Sequence, residues 1–411
     1  MPLRARNPRA ALGTVIAEGF LGRLAFGIVS FALPLYALSL GLSLAQIGVL
    51  VSLRTIFLLP LKPVAGWLSD RVGIRTVYLS GALARTIAAA LLLVAEGFFG
   101  LMIVRLLQGA SAAGRDVASL GVIARDAENH VGATYSWYSS AKHVGGVAGA
   151  GVAGLLISAS GGSFGVVFGT VLALSVLPTA VAWIGLREVT GEDGAGQQEA
   201  AQVKREAGDV RWVLNRLAAE LSIFRELAGP ASVGMLVAAS AYMVHGLFPV
   251  LATEYAGLSD AEAGLIYSLS AAVFLASGPA FGWLIDRHGR ALGIAWRSAA
   301  NIGSSFLYLI SPSFLGLAAA RSVDDSGKAA FKPAWASAVA EISAIDPRQR
   351  GKRLGALDTS QSLGEAIGPA LAGLLWQSGG VVALFAVRII IAVAAEISAL
   401  RVFGEFKSLR L

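Results

Sequence analysis

Long apolar runs separated by short polar connections dominate the pattern of this 411-residue chain. Most runs are about 20 residues or longer, the length that an α-helix needs to cross the hydrocarbon core of a bilayer. They cover residues 11–39, 44–68, 76–96, 99–121, 133–158, 164–186, 230–255, 261–285, 291–310, 313–339, 354–377 and 381–403. The pattern therefore predicts an all-α integral membrane protein with twelve transmembrane helices.

The composition supports a membrane protein and argues against a typical soluble enzyme or a disordered chain. Hydrophobic residues make up 55% of the chain and charged residues 14%, whereas soluble domains carry about 25% charged residues. The chain has no cysteine, which excludes disulfides, cysteine-ligated metal centres and a thiol nucleophile. It also has no phosphate-binding G-x4-G-K-[ST] loop, so we expect neither ATP-driven pumping nor enzymatic nucleotide hydrolysis.

Lysine and arginine are distributed unevenly between alternate connections. Six connections carry neither residue: 40–43, 97–98, 159–163, 256–260, 311–312 and 378–380. The other connections and the two ends of the chain hold 21 of them. By the positive-inside rule, we expect both termini on the cytoplasmic side of a cytoplasmic or inner membrane. The net charge of +7 then reflects membrane topology, and we expect no nucleic-acid partner.

The longest connection divides the chain into two halves of six helices. Within it, residues 191–198 are typical of a flexible linker, and apolar residues at helical spacing over 210–224 predict an amphipathic helix on the cytoplasmic face. The predicted domains are the N-terminal half (1–186), the cytoplasmic linker (187–229) and the C-terminal half (230–411). The linker could serve as a tether or as a regulatory gate, and both readings stay open.

The two halves repeat each other in sequence. A shift of 216 residues aligns 38–73 with 254–289 at 15 identities in 36 positions, and places Arg105 on Arg321. Each half contains six helices, an even number, so both copies run through the membrane in the same orientation, as parallel repeats do. The sequence therefore predicts two parallel six-helix halves.

A short polar turn recurs at the same place in both halves. It joins the second and third helices at Gly66-Trp-Leu-Ser-Asp70-Arg71-Val-Gly73, and its copy runs from Gly282 to Gly289 with Asp286 and Arg287 inside it. A tight turn needs Gly73 and Gly289 to adopt a positive φ. We expect Gly66 and Gly282 to allow close approach of another helix. We expect Asp70 and Asp286 to face a helix N-terminus or pair with arginine.

These paired turns resemble the major facilitator superfamily, whose signature is a G-x3-D-R-x-G turn after the second helix with a weaker copy after the eighth. The resemblance covers nearly the whole chain. It implies alternating-access transport of a small molecule by a monomer in the lipid bilayer, without a cofactor and with protons as the coupling ion. It also implies a conformational gate at the turns, formed by Gly66, Asp70, Arg71, Gly73, Asp286 and Arg287.

Two further patterns are similar to motifs of that superfamily. Arg105 and Gln108 match an R-x-x-Q-G pattern that is associated there with proton coupling, although Arg105 could instead be a structural arginine. Gly145-x3-Gly149 resembles the G-x3-G-P motif of its exporters, but Ala150 stands in place of proline. The full form occurs in the eleventh helix as Gly364-x3-Gly368-Pro369. Close helix packing is the alternative explanation for both glycine pairs.

The tenth helix carries the densest group of charges inside a span. Arg321, Asp324, Asp325 and Lys328 follow the spacing i, i+3, i+4, i+7 and therefore share one helical face. Two adjacent carboxylates near the bilayer centre repel each other, which favours a proton-carrying or cation-binding site. Neutralisation by the two basic residues, giving a structural network, is the alternative.

Other ionisable residues near the middle of their spans complete the predicted coupling and substrate set: Glu18, Arg23, His245 and Glu365. Two transport functions stay open. One is a proton antiporter that exports a small amphipathic compound or drug, and the other is an importer or exchanger of an anionic solute, which the basic residues inside the spans favour. A membrane sensor or scaffold without transport is a third hypothesis, but it would not need costly charges inside the membrane.

Overall fold

The computed structural model describes residues 8–126, 130–186, 223–346 and 349–408, and these ranges are helical with no β-strand. The helices are α1 (Pro8–Ser39), α2 (Leu44–Val72), α3 (Ile74–Leu91), α4 (Gly97–Asp126), α5 (Val131–Ala159), α6 (Phe164–Gly185), α7 (Ala228–His245), α8 (Asp260–His288), α9 (Arg290–Ile310), α10 (Phe314–Ala344) and α11 (Arg350–Ser408). The predicted all-α membrane class is confirmed.

Two of these elements are interrupted. After His245, α7 bends by 44° and continues as a short helical segment, Phe248–Val250, and a π-helical turn, Leu251–Tyr255. In α11, non-helical backbone at Gly379 and Gly380 separates a first arm, 350–378, from a second arm, 381–408. We count α7 and its continuation as one span, and the two arms of α11 as two spans. The helices then lie at the positions of the twelve predicted apolar runs.

Charged residues make some of these helices less apolar than an ordinary span. Seven described helices are long and apolar enough to cross a membrane, and the bent pair that begins with α7 makes an eighth. Helices α3, α9 and α10 are not among them, because each carries polar groups in its interior. Arg85, Arg297 and Arg321 are all buried, so these charges face protein rather than the surface.

The sequence repeat is also a structural repeat at the start of α2 and α8. The Ser43 backbone N–H donates to Gln46 Oε1 at 2.9 Å, and the Gln46 N–H donates to Ser43 Oγ at 3.3 Å. Ser259 and Glu262, 216 residues further on, make the same reciprocal contacts at 2.9 and 3.3 Å. Such a capping box satisfies two backbone donors at a helix N-terminus and contributes about 1 kcal/mol.

The chain forms two compact units. Unit 1 comprises Met1–Leu40 and Ile56–Gly208, and unit 2 comprises Gly41–Thr55 and Asp209–Leu411. The start of α2 belongs to unit 2 because it packs on the first arm of α11, where the Ala370 N–H donates to Ser52 Oγ at 3.0 Å. The linker and most of the predicted amphipathic helix lie in 187–222, outside the described residues.

Candidate functional site

The two polar turns have the backbone that the sequence predicts. Gly73 adopts φ +86° and Gly289 adopts φ +89°, so the prediction of positive φ at both positions is confirmed. Asp70 and Asp286 are exposed, and within the described part of the chain neither carboxylate has a hydrogen bond or an ion pair. The predicted pairing of these carboxylates with arginine or with a helix N-terminus is therefore not seen in these units.

The arginines of the turns lie on tryptophan instead. Arg71 Cζ lies 4.0 Å from the centre of the Trp67 ring, and Arg287 Cζ lies 5.5 Å from the Trp283 ring. Each pair is one helical turn apart, so the guanidinium covers an exposed ring of its own helix.

The predicted close approach of another helix at Gly66 and Gly282 is not seen within their own units. A Cβ atom on Gly66 would meet no atom nearer than Val117 Cγ1 at 4.0 Å, and one on Gly282 would meet none within that distance. Both glycines lie on surfaces that no helix of the same unit covers closely. Within each unit, the glycine signature therefore does not correspond to close helix packing at these two positions.

Close packing occurs instead at the glycine pairs of α5 and α11. A Cβ atom on Gly149 would lie 3.0 Å from Gly27 Cα of α1, and Gly145 lies against the Phe20 carbonyl. In unit 2, a Cβ atom on Gly368 would lie 2.6 Å from the Ala239 carbonyl oxygen of α7. Close packing therefore explains both glycine pairs in physical terms.

Glu18 lies in a buried ion-pair cluster that joins three helices of unit 1. Its Oε1 forms an ion pair with Arg85 of α3 and lies 3.1 Å from Arg115 Nη1 of α4, while the Tyr78 hydroxyl donates to Oε2 at 2.6 Å. The Glu18 side chain is 1% exposed. Arg85 also reaches α6, because its Nη2 donates to Thr179 Oγ1 at 3.3 Å. These partners compensate the buried charge of Glu18 within unit 1.

A second ion pair in unit 1 is more open. Lys142 Nζ lies 2.8 Å from Asp116 Oδ1, and these side chains are 19% and 32% exposed. Lys142 also donates to the Tyr138 hydroxyl at 3.2 Å. Arg23 is half-buried, with its Cζ 5.2 Å from the Phe26 ring centre.

Arg105 and Gln108, the two polar residues of the R-x-x-Q-G pattern, are in contact. Arg105 is 3% exposed, and its Nη1 donates to Gln108 Oε1 at 3.1 Å, one turn further along α4. The contact lies within one helix, so it holds the guanidinium along α4.

Asp324 occupies the centre of the ion-pair network of unit 2. Its Oδ1 lies 3.0 Å from Arg297 Nη1 of α9 and 2.6 Å from Arg388 Nη2 of the second arm of α11. Its Oδ2 lies 2.8 Å from Lys328 Nζ. Asp324 is fully buried, so three cationic groups compensate one desolvated carboxylate.

Nearly all hydrogen-bond donors of the Arg388 guanidinium have an acceptor. Its Nε donates to the Ser240 carbonyl at 2.9 Å, its Nη2 donates to Asn301 Oδ1 at 2.7 Å, and its Nη1 donates to Ser305 Oγ at 2.8 Å. Together with the Asp324 pair, these bonds fix the guanidinium between α7, α9 and α10. The arrangement supports the structural-network hypothesis for Asp324.

Asp325 lies in a different environment from Asp324. Lys328 Nζ lies 2.6 Å from Asp325 Oδ1, so the same ammonium group contacts both carboxylates. Arg321 Nε is 3.9 Å from Asp325 Oδ2. The Asp325 side chain is 10% exposed and that of Lys328 is 20% exposed. Asp325 and Lys328 therefore form the accessible edge of the network.

Arg321 is held between two aromatic rings. Its Cζ lies 4.3 Å from the Phe248 ring centre and 4.0 Å from the Tyr267 ring centre. Its Nε donates to Ser270 Oγ at 3.3 Å, and its Nη2 lies 3.3 Å from His245 Nδ1. Its Nη1 is buried and has no hydrogen-bond partner among the described residues. One donor of a guanidinium fixed by cation–π contacts is thus unsatisfied within the described residues.

His245 closes this cluster from the side of α7. The distance between its Nε2 and the Tyr267 hydroxyl is 2.9 Å, and both residues are half-buried while Arg321 is 1% exposed. His245 and Tyr267 therefore both lie against the guanidinium of Arg321. Glu365 is half-buried on the first arm of α11.

The residue that sequence reasoning missed is Arg297. It lies on α9, where Arg297, Asn301 and Ser304 form a polar stripe at helical spacing, and all three are buried. That stripe on an otherwise apolar span is the signal that would have identified it.

Comparison with known proteins identifies a family and a fold. The family model described as Major Facilitator Superfamily matches residues 19–226 and 230–405. A "Probable 4-methylmuconolactone transporter" of Cupriavidus pinatubonensis (strain JMP 134 / LMG 1197) is 32% identical over 133 residues. That match covers 31% of this chain and only 29% of the length of the relative.

Solved transporter structures share the fold at low sequence identity. The nucleoside transporter NupG is 16% identical, with a TM-score of 0.74, over 97% of this chain and 99% of that one. A bacterial homolog of the human lysosomal transporter Spinster, in an inward-facing and unoccupied conformation, is 18% identical, with a TM-score of 0.74, over 98% and 99% of the two chains.

Proposed function

Because the chain belongs to the Major Facilitator Superfamily, we propose that it is a proton-coupled secondary transporter of a small organic anion. The observation that carries this proposal is the excess of buried positive charge in unit 2. In its network, four cationic side chains face two carboxylates, those of Asp324 and Asp325. The cations are Arg297, Arg321, Lys328 and Arg388.

Buried charge of one sign requires a partner of the other. Desolvation of an ion costs several kcal/mol unless an opposite charge and hydrogen bonds compensate it. Asp324 already compensates Arg297 and Arg388, whereas the Arg321 Nε lies 3.9 Å from the nearest Asp325 oxygen. A carboxylate on the solute would supply the missing negative charge and accept a bond from the open Nη1 of Arg321.

Asp325 is the proposed proton-binding group. It is the accessible carboxylate of the network. A proton on Asp325 would break its ion pair with Lys328, which would then pair with Asp324 alone. The site would then gain one positive charge, which favours an anion. By linkage, a bound anion favours proton uptake to the same degree. This sign predicts that proton and anion move together, in an alternating-access cycle.

Uptake into proteoliposomes tests the proposal. With an inward proton gradient, we expect accumulation of radiolabelled carboxylates above their external concentration, and loss of accumulation on addition of a protonophore. Arg321→Ala should lower uptake about tenfold or more, because it removes charged hydrogen bonds to the anion. Lys352, which is exposed, provides the control Lys352→Gln, with uptake as in the wild type. Accumulation of cationic or neutral compounds alone would contradict the proposal.

A second candidate is proton-driven export of a small amphipathic compound. The accessible edge at Asp325 favours it, because a cationic amphipath could take the place of Lys328 on that carboxylate. The two functions differ in the sign of the proton change on binding to detergent-solubilised protein. An anionic substrate should be bound with proton uptake, and a cationic one with proton release. Binding without flux in proteoliposomes would instead indicate a sensor.

A further inference from the structure

A groove lies on the surface of unit 1 between α3 and α6, and its floor contacts the Glu18 cluster through Arg85. Its volume is about 480 Å³, within the range of about 300–1,000 Å³ of small-molecule sites. Four of its lining residues are apolar and two are threonines: Val176, Ala180, Trp183, Ile184, Thr86 and Thr179. Trp183 and Ile184 are more than half exposed. On a membrane-spanning unit, a groove of this kind opens to hydrocarbon rather than to water.

The polar atoms on the floor of the groove already have partners. The Thr86 and Thr179 hydroxyl oxygens are 3.0 Å apart. Thr86 Oγ1 also donates to the Ser175 carbonyl at 3.2 Å, and Thr179 Oγ1 lies 3.2 Å from the Ala82 carbonyl oxygen. Arg85 donates to Thr179 from below. An apolar chain could lie against this floor without leaving a hydrogen-bonding group unsatisfied, which argues against a polar solute.

One end of the groove is basic. Arg75, in the first turn of α3, has its Cζ 5.9 Å from the Trp183 ring centre, and its buried Nε has no hydrogen-bond partner among the described residues. Arg71 is exposed at the end of α2, beside the exposed Asp70. Tryptophan and arginine are typical of the membrane–water interface. The charge pattern of the sequence places this end at the cytoplasmic face.

The distance along α3 from Arg75 to Thr86 fits a lipid chain that starts at that interface. From Arg75 to Thr86, α3 advances eleven residues, or about 16 Å at 1.5 Å per residue. That distance is close to half of the ~30 Å hydrocarbon thickness. An acyl chain whose headgroup lies on Arg75 would therefore reach Thr86 near the bilayer centre.

We propose that this groove binds one acyl chain of an anionic phospholipid, with the lipid phosphate on Arg75. Basic pockets between transmembrane helices on the cytoplasmic side suit anionic headgroups, and the arginine fork matches phosphate oxygens. The bound chain covers the apolar side chains of α3 and α6 and supports the contact that Arg85 makes from Glu18 to Thr179. The site does not depend on the solute that the protein transports.

Lipid retention provides the first test. Protein from nanodiscs of mixed phosphatidylcholine and phosphatidylglycerol is analysed by native mass spectrometry for retained phosphatidylglycerol. Arg75→Gln should weaken retention about fivefold, the equivalent of ~1 kcal/mol for one basic side chain near an anionic lipid surface. Ala180→Trp should also reduce retention, because it fills the groove. Leu177→Trp on the same helix, at an exposed position outside the lining, should behave as the wild type. Equal retention in Arg75→Gln, Ala180→Trp and the wild type would overturn the proposal.

A fluorescence measurement on the wild-type protein covers the case in which a variant fails to fold. Phosphatidylglycerol brominated on its acyl chain should quench the tryptophan emission of the wild-type protein more strongly than brominated phosphatidylcholine does. Equal quenching by the two lipids would show ordinary lipid contact and would contradict a headgroup-specific site. Added inorganic phosphate should not displace the lipid, because the contacts of the acyl chain contribute part of the binding free energy. Displacement of the lipid by phosphate would also contradict the proposal.

Discussion

Asp324 and Asp325 are neighbours in the chain but differ in access: Asp324 is fully buried between Arg297, Arg388 and Lys328, whereas a tenth of the Asp325 side chain is exposed. Lys328 contacts both of them. The two carboxylates should therefore respond differently to the same substitution.

Asp325→Asn should abolish accumulation driven by a pH gradient while leaving binding and solute exchange. The asparagine cannot take up a proton, so the step that changes the charge of the site is lost. In the wild type, uptake should rise as the external pH falls, because protonation of Asp325 favours the anion. Initial rates measured over a series of external pH values check this. A variant whose uptake keeps the wild-type pH dependence would place proton coupling elsewhere, with His245 as the next candidate.

Asp324→Asn should act mainly on stability. Removing this charge leaves Arg297 and Arg388 buried without a carboxylate, and breaking a buried ion pair costs about 3–5 kcal/mol. We expect a lower unfolding temperature in detergent and a lower yield of folded protein. Asp325→Asn is the matched comparison, with a smaller loss because its side chain is less buried. Equal unfolding temperatures for Asp324→Asn and the wild type would refute the structural role.

Arg321→Lys should weaken solute binding although the positive charge is kept. Lysine cannot lie flat between Phe248 and Tyr267, and it lacks the fork that holds Ser270 and His245 together. We expect an increase in KM of about tenfold, for a loss of about 1.4 kcal/mol in charged hydrogen bonds. Arg105→Lys, at the repeat-related position of α4, is the companion variant. An unchanged KM in Arg321→Lys would remove the guanidinium from the solute site.

Gly73→Ala should destabilise the turn between α2 and α3. Its φ of +86° and ψ of 148° suit glycine alone, and a side chain there costs about 1–3 kcal/mol. Gly66→Ala is the control, since Gly66 is helical and has room for a methyl group. Thermal unfolding in detergent should show a decrease for Gly73→Ala and none for Gly66→Ala. A decrease of equal size in both would mean that Gly66 packs against a surface outside the described contacts.

Cysteine labelling tests the predicted topology on a chain that has no cysteine of its own. Single cysteines at Ser163 and Ser378 should react with a membrane-impermeant maleimide on intact cells. Cysteines at Val72 and Lys352 should react only after permeabilisation. All four positions are exposed, so accessibility does not limit the reaction. Labelling of Val72 or Lys352 from outside would overturn the cytoplasmic placement of the termini.

The sequence alone predicts those features that depend on one helix at a time. The spacing of Arg321, Asp324, Asp325 and Lys328 correctly indicated contacts along α10, because helical geometry alone brings i and i+4 together. The positive φ of Gly73 followed in the same way from a local turn. The helix positions followed from apolar runs of sufficient length.

Features that depend on which helices meet could not be predicted in this way. Arg388 is 64 residues from Asp324, and Glu18 is 67 residues from Arg85, yet each pair is in contact. No spacing rule relates such residues. Gly66 illustrates the opposite case, because a glycine that favours packing in principle has no closely packed helix against it within unit 1. Whether a buried charged residue is structural or functional depends on its tertiary contacts, which the sequence spacing does not give.

The close backbone contacts at the glycine pairs of α5 and α11 limit how these helices can move. Where Gly149 lies on Gly27 and Gly368 lies on the Ala239 carbonyl, backbone touches backbone with no side chain between them. No side chain at such a contact can change its rotamer to make room. One helix therefore cannot slide along the other without a collision of main-chain atoms. Helices α1 and α5 should therefore move together as one rigid body, and so should α7 and the first arm of α11. Any conformational change in a transport cycle then has to occur at other helix–helix contacts.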